Sequence, residues 1–210
     1  NEYRFDSTYE YGQTVSASGK SIFGSAEYEY SSFNTENWTS NFPTLVGNYK
    51  ARSKGKNNYG SYYYGNTQFF QIVPKKVDVH MSKSTITYGE ENPVYIEGLQ
   101  FNDQLTSFDS LIDDKTKDKW KMTPDVSKIV ILNSSGLDVT SCYDFNPIEK
   151  EVDVNKRAIS ISSSSAVFTY TGESFKDENY TITRGSLVEG DSISVIYSEE
   201  LKATQSNVIN

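Results

Sequence analysis

The chain has 210 residues, with 20 Lys and Arg against 28 Asp and Glu, a net charge of −8 and one cysteine, Cys142. An acidic surface repels nucleic acid, a single thiol forms no internal disulfide, and no apolar run approaches the roughly 20 residues of a membrane helix. Sixteen Tyr, eleven Phe, plentiful Ser and Thr, and short apolar runs instead predict an all-β chain.

In chain order, Thr8-Tyr9-Glu10-Tyr11-Gly12 predicts a short strand running into a turn that needs a permissive backbone. Ala26, Tyr28 and Tyr30 alternate with Glu27 and Glu29, and Asn48 to Ser53 alternates likewise, so both predict strands with one apolar and one charged face. Between them lie Trp38 and a turn around Pro43 and Gly47. Asn57 to Asn66 predicts a loop or hairpin tip loaded with aromatic rings, after which Phe70 and Ile72 share a face. Pro74 then separates two strands, the second opening at Lys75-Lys76.

This figure returns. Lys156-Arg157 opens a third segment 81 residues after Lys75-Lys76, and Thr85-Ile86-Thr87-Tyr88-Gly89 and Phe168-Thr169-Tyr170-Thr171-Gly172 repeat the first glycine turn at spacings of 77 and 83. A period this long predicts an array of small domains: residues 1–76, 77–155 and 156–210. In the second, Gly89 to Pro93 predicts a turn, Val94 to Ile96 a strand, and 109–125 a loop or one short helix packing on Leu111, Ile112 and Trp120. Lys128 to Leu132, apolar on both faces, predicts a central strand; Tyr143 and Phe145 begin the exit strand, and Val152 to Val154 close the repeat. In the third, Tyr180 to Gly185 and Ile193, Val195 and Tyr197 predict a hairpin around Gly185–Asp191.

Tyr88-Gly89-Glu90-Glu91-Asn92-Pro93, Gly98-Leu99 with Asn102-Asp103, and Gly136-Leu137-Asp138-Val139-Thr140 with Tyr143 resemble the glycine-rich bacterial repeats of MBG or YDG type. Tyr170-Thr171-Gly172, Tyr180-Thr181-Ile182-Thr183, Gly185-Ser186-Leu187-Val188 and Gly190-Asp191 are similar to another branch of that group. The first repeat matches through Pro43, Gly47-Asn48-Tyr49 and Phe70-Gln71-Ile72. The resemblance implies tandem small Ig-like β-sandwich domains of large extracellular bacterial surface proteins, often adhesins, with no catalytic residues to carry over. Residues 107–125 depart from it as an insertion.

Chemistry-bearing constellations are few. The one histidine, His80, falls with Asp78 on the polar side of its alternation and lacks the partners of a triad or metal site. Asp109, Asp113 and Asp114 could collect calcium, but lysines at 115, 117 and 119 sit among them and no Asp-x-Asp-x-Asp-Gly loop is present, which predicts a solvated loop. No cofactor is implied. The sequons at Asn37, Asn133 and Asn179 arise by chance in a chain rich in Asn, Ser and Thr.

The aromatic group Trp38, Tyr59, Tyr62, Tyr63 and Tyr64 has two readings. Alternate tyrosines fill a thin sandwich core, or the rings stand clear as a platform for a sugar or a protein. Three consecutive tyrosines on a strand cannot all point inward, so at least one faces the other side.

The sequence therefore predicts a non-enzymatic stalk or adhesin segment on the bacterial cell surface, with a host or environmental glycan or protein as partner and neighbouring repeats stiffly joined at Pro74 and Asn155. The alternative is a carbohydrate-binding module using the aromatic group. Asn1 in place of Met predicts a piece of a longer protein. Alignment of the second and third repeats leaves the third without a closing strand at Asn210, to be completed by further chain or by a partner strand.

Overall fold

Period-two patterning decides the centre of the fold. In this computed structural model, which describes residues 7–15, 20–21, 24–25, 27–116, 118–163, 169 and 179–194, Lys75–Met81 is a strand that buries Val77, Val79 and Met81 and turns Lys76 and Asp78 to solvent. Val94–Ile96 pairs with it antiparallel and Tyr143–Ile148 pairs parallel on its other side. A second layer, ordered Ser110–Lys115, Lys119–Pro124, Lys150–Asn155, packs onto this sheet through Lys119–Pro124. Trp120, Met122 and Val152 supply its buried side chains. The chain is all-β and of the Ig-like β-sandwich type; among the described residues the only helical turns are the short 3-10 segments Val126–Lys128 and Thr140–Cys142.

By packing, residues 1–84 and 92–152 form one unit, and residues 85–91 and 153–210 a second. The boundary between the first two sequence repeats, at 76 and 77, falls inside the first unit. Only Pro74 separates Gln68–Val73 from Lys75–Met81.

The N-terminal sheet of the first unit runs Ser7–Glu10, Gln68–Val73, Gly47–Lys56, Glu27–Ser32, and Tyr62–Tyr64 also pairs with Gly47–Lys56. Register places Tyr30 opposite Ala51, and Tyr49 opposite Phe70, on one face. There Phe42 stacks on Phe70 with centroids 5.5 Å apart and meets Tyr30 edge-on at 5.2 Å. Glu29, Lys50, Arg52 and Lys54 hold the opposite face.

In the second unit Thr85–Thr87 pairs parallel with residues 153–155, and Ser160–Ser163 pairs antiparallel with Tyr180–Arg184.

Local expectations are corrected or narrowed at three places. Residues 109–125 hold the antiparallel hairpin Ser110–Lys115 and Lys119–Pro124 rather than a loop or helix, because Trp120, Met122 and Pro124 alternate inward beneath the charged residues. Leu111 and Ile112 lie exposed instead of packing with Trp120. Lys128 to Leu132 is strand only over Val130–Leu132, which pairs with Gln104–Ser107 on one edge and bridges Asp138 from Leu132 on the other, and Ile131 is its fully buried member. Lys156 to Ile159 precede the third repeat's first strand; Arg157 there donates to the Ser186 carbonyl at 2.9 Å and to its hydroxyl at 2.8 Å. Tyr180–Arg184 takes Ser160–Ser163 as one partner; Val195 and Tyr197, from the other half of the predicted hairpin, lie outside the described residues. Ala26, Phe168, Tyr170 to Gly172, Val195, Tyr197 and the inferred missing strand near Asn210 lie outside the described residues.

The buried positions separate from the patterned but exposed ones in energy. Ile131→Ala leaves a cavity in a fully enclosed site and is expected to lower unfolding stability by about 2–5 kcal/mol in urea titrations. Leu137→Ala, at a half-exposed turn position, should stay within about 0.5 kcal/mol; equal effects would contradict the assigned core.

Candidate functional site

The strand Gly47–Lys56 places Lys50, Arg52, Lys54 and Lys56 on one face, because every second residue points the same way. The aromatic group predicted from sequence meets these cations. The Arg52 guanidinium lies 4.0 Å from the Trp38 ring centroid and 3.9 Å from that of Tyr64. Lys54 and Lys56 lie 4.5 and 5.3 Å from the Tyr62 ring. Tyr63 points to the opposite face, where its ring occupies the space a side chain on Gly55 would need. Tyr59, at the hairpin tip, is 94 % exposed and stands apart. The structure therefore brings Trp38, Tyr62 and Tyr64 together and separates Tyr59 and Tyr63 from them.

Carboxylates complete the ladder. Glu29 accepts from Lys54 at 2.6 Å and from Arg52 at 2.9 and 3.2 Å, and the Lys54 hydrogen bond, then Arg52, holds its carboxyl below the usual range. Glu36 accepts from Lys50 and from the Trp38 indole N–H at 3.0 Å. The lattice fixes Trp38 between a cation and an anion; each cation lies over a ring, and Lys50, Arg52 and Lys54 are also ion-paired.

The other sequence candidates take local roles. The Asp109 side chain accepts from its neighbour's Ser110 N–H, Asp113 accepts from the Thr123 hydroxyl at 2.5 Å, and Asp114 lies opposite Lys121 in the hairpin register. No cluster able to hold a metal occurs among the described residues. His80 stacks on Tyr95 with centroids 5.0 Å apart.

Sequence reasoning missed a second constellation. Asp103 is buried, and its Oδ2 accepts from the Tyr11 hydroxyl at 2.8 Å and from the Tyr143 hydroxyl at 2.7 Å. Tyr143 in turn accepts from the Gln100 N–H at 2.8 Å. The turn presenting Asp103 has Phe101 and Asn102 both in the left-handed region, at φ 51° and 62°, and Phe101 packs edge-on against Tyr11. Burial, with the neighbouring Asp103 charge, pushes the Tyr11 hydroxyl well above the ordinary tyrosine range; burial does the same for Tyr143, opposed by Gln100. Tyr11 and Gly12 belong to the first repeat, whereas Gln100, Asp103 and Tyr143 belong to the second.

The same joint occurs in the second unit with different residues. Tyr11 donates its backbone N–H to Val73, and Tyr88 donates its own to Asn155. Gln13 closes its turn onto Glu10 and returns a side-chain acceptor to it; Glu90 does both for Thr87. Gly12 at φ +82° faces Gln100, and Gly89 at φ +79° faces Val188, each with a neighbouring atom 2.2 Å from where a Cβ would stand. Gln100 and Val188 each accept from the aspartate three residues on, Asp103 and Asp191. Tyr88 donates to Asp191 at 3.0 Å as Tyr11 does to Asp103. The signal available in the sequence was the recurring tyrosine-glycine pair; its acceptor lies 92 residues away in the first case and 103 in the second.

No family profile and no curated protein matches the chain. Among solved structures it is similar to the fibronectin(III)-like modules of Clostridium thermocellum CbhA at 12% identity, over 74% of this chain and 93% of that one, with a TM-score of 0.22, too low to carry an argument.

The tyrosine network generates a pH signature. Both hydroxyls ionise less readily in the folded chain than at the ordinary value of 10.0, so their contribution is complete below pH 10 and lost as pH rises through the folded values. Above pH 10, stability should fall by up to about 1.4 kcal/mol per pH unit for each such tyrosine. Tyr11→Phe removes one titrating group, and the expected outcome is a shallower alkaline slope than wild type in urea melts between pH 9 and about 11.5. An unchanged slope would show that Tyr11 does not titrate in this way.

Proposed function

We propose that the chain is a non-enzymatic segment of a bacterial cell-surface protein, a stalk or adhesin arm built of tandem Ig-like repeats of MBG or YDG type. The observation that carries this reading is the recurring joint. A tyrosine-glycine turn belonging to one sequence repeat docks against a turn of the next, through the same backbone bonds, glycine approach and hydroxyl-to-carboxylate bond, at 11–103 and again at 88–191. Docking of this kind restricts bending between neighbours, which a projecting arm requires and a flexible linker does not supply. The resemblance in glycine turns and aromatic strands supports the family and the extracellular setting. The candidate residues themselves supply packing, ion pairs and turns rather than the nucleophile-base geometry of an enzyme.

Two measurements test the reading. Spin labels at Ser61→Cys and Ser134→Cys, both exposed positions, in a Cys142→Ala background should give a narrow distance distribution across the first joint, broadened by Asp103→Ala. A broad distribution in the parent would remove the stiff-arm function. Antibodies against the chain should label intact bacteria, and labelling only after lysis would overturn the surface assignment.

A further inference from the structure

Beyond the arm, the first repeat holds a cleft of about 410 Å³ between the end of Glu27–Ser32 and the loop through Phe42. Its apolar side is formed by Tyr30, Phe42 and Tyr49, and the rest by hydroxyls, Pro43 and the carboxamides of Asn37 and Asn41; none of the lining side chains is charged. In a chain where 48 of 210 residues carry charge (20 + 28), a neutral lining selects against ions.

We propose that this cleft binds a neutral oligosaccharide. The volume lies in the range of small-molecule sites, roughly 300–1,000 Å³. Aromatic rings offer the flat apolar surface that the C–H faces of a sugar need, and each carboxamide offers both donors and an acceptor to adjacent hydroxyls. The Asn37 and Asn41 side chains are exposed and take part in none of the described hydrogen bonds, so binding breaks no internal bond. A uronate or a phosphate finds no counter-charge here. A peptide cannot add as a strand at Tyr30, because Thr39 already exchanges both backbone hydrogen bonds with it, at 2.7 and 2.9 Å.

The walls are set before any ligand arrives. The Thr39 bridge fixes one side, Ser31 donates to the Thr35 carbonyl at 3.0 Å, and Phe42 is stacked on Phe70. Trp38, next to Asn37, is clamped by Arg52 and Glu36. Arg52, Trp38 and Glu36 thus anchor the cleft wall, whereas Tyr62 lies outside it, and preset geometry reduces the entropy lost on binding.

The test titrates the isotope-labelled 210-residue chain with neutral gluco-, manno- and galacto-tetrasaccharides, with oligogalacturonate and a neutral peptide as competitors in class. One neutral series should shift amides of residues 30–49 saturably. Asn37→Ala with Asn41→Ala should weaken it about tenfold or more, whereas Tyr59→Ala with Tyr62→Ala should change it less than about twofold. All four residues are exposed, and unchanged spectra elsewhere verify folding. No saturable shift from any neutral series up to about 10 mM, equal affinity in the asparagine variant, or preference for the uronate or the peptide would each overturn the proposal. Its failure would leave the spin-label distances and surface labelling unaffected, so it is judged apart from the arm.

Discussion

Asp103 stands in the interior of the first unit with two phenol hydroxyls on one of its oxygens. A carboxyl taken out of water is destabilising unless donors converge on it, and here one donor comes from Tyr11 and the other from Tyr143. The turn that delivers it carries Phe101 and Asn102 at positive φ, a conformation that costs about 1–3 kcal/mol for each such residue. Within the second repeat alone, the strained turn and the buried acid would have only Tyr143 to offset them. Tyr11 completes the site from the neighbouring repeat, so the order of residues 98–103 and the seating of residues 9–13 depend on each other. Asp103 Oδ1 has no hydrogen-bond partner among the described residues, which makes the network a device for placement more than for stability.

The N-terminal sheet divides its aromatic residues between two tasks by parity. Tyr30, Tyr49 and Phe70 fall on the face where Phe42 closes over them, and their mutual stacking makes the apolar layer. Trp38, Tyr62 and Tyr64 fall on the other face, where alternate positions of Gly47–Lys56 are basic, and there the rings lie against a row of like charges that Glu29 and Glu36 partly neutralise. Glu29 sits between Arg52 and Lys54, and its depressed pKa records the same field from the acid's side. A group of rings that looked in sequence like one platform is therefore two structural layers and an isolated tip.

Where alternation was clean the sequence was legible: Val77, Val79 and Met81 against Asp78 and His80, or Tyr62 and Tyr64 against Tyr63, decide their faces without reference to the rest of the chain. Lys119 to Pro124 alternates as strictly, but the buried Trp120 and Met122 are set among lysines and aspartates whose density suggested a solvated loop. Val130 to Leu132 is shorter than its apolar run suggested, since Lys128 closes a 3-10 turn held by Asp125, which an apolar pattern does not mark. Asp103 was visible as a turn residue. Its bonding was not, because nothing local separates an aspartate that caps a surface turn from one that receives hydroxyls from 92 and 40 residues away.

The two joints share a backbone and differ in burial, and the difference identifies which part fixes the geometry. Tyr11 and Asp103 are enclosed, whereas Tyr88 is half-buried and Asp191 exposed, so water and salt weaken the second hydroxyl-carboxylate bond. Both joints nonetheless keep the glycine at positive φ with the opposing residue where a Cβ would stand. Only glycine permits both that conformation and that approach. The close approach of the opposing side chain to the glycine thus sets the position of one turn against the next in both cases, and the hydroxyl bond adds direction to it. In the first joint the acid is buried and gains a second donor in Tyr143; in the second, solvent supplies what a second donor would.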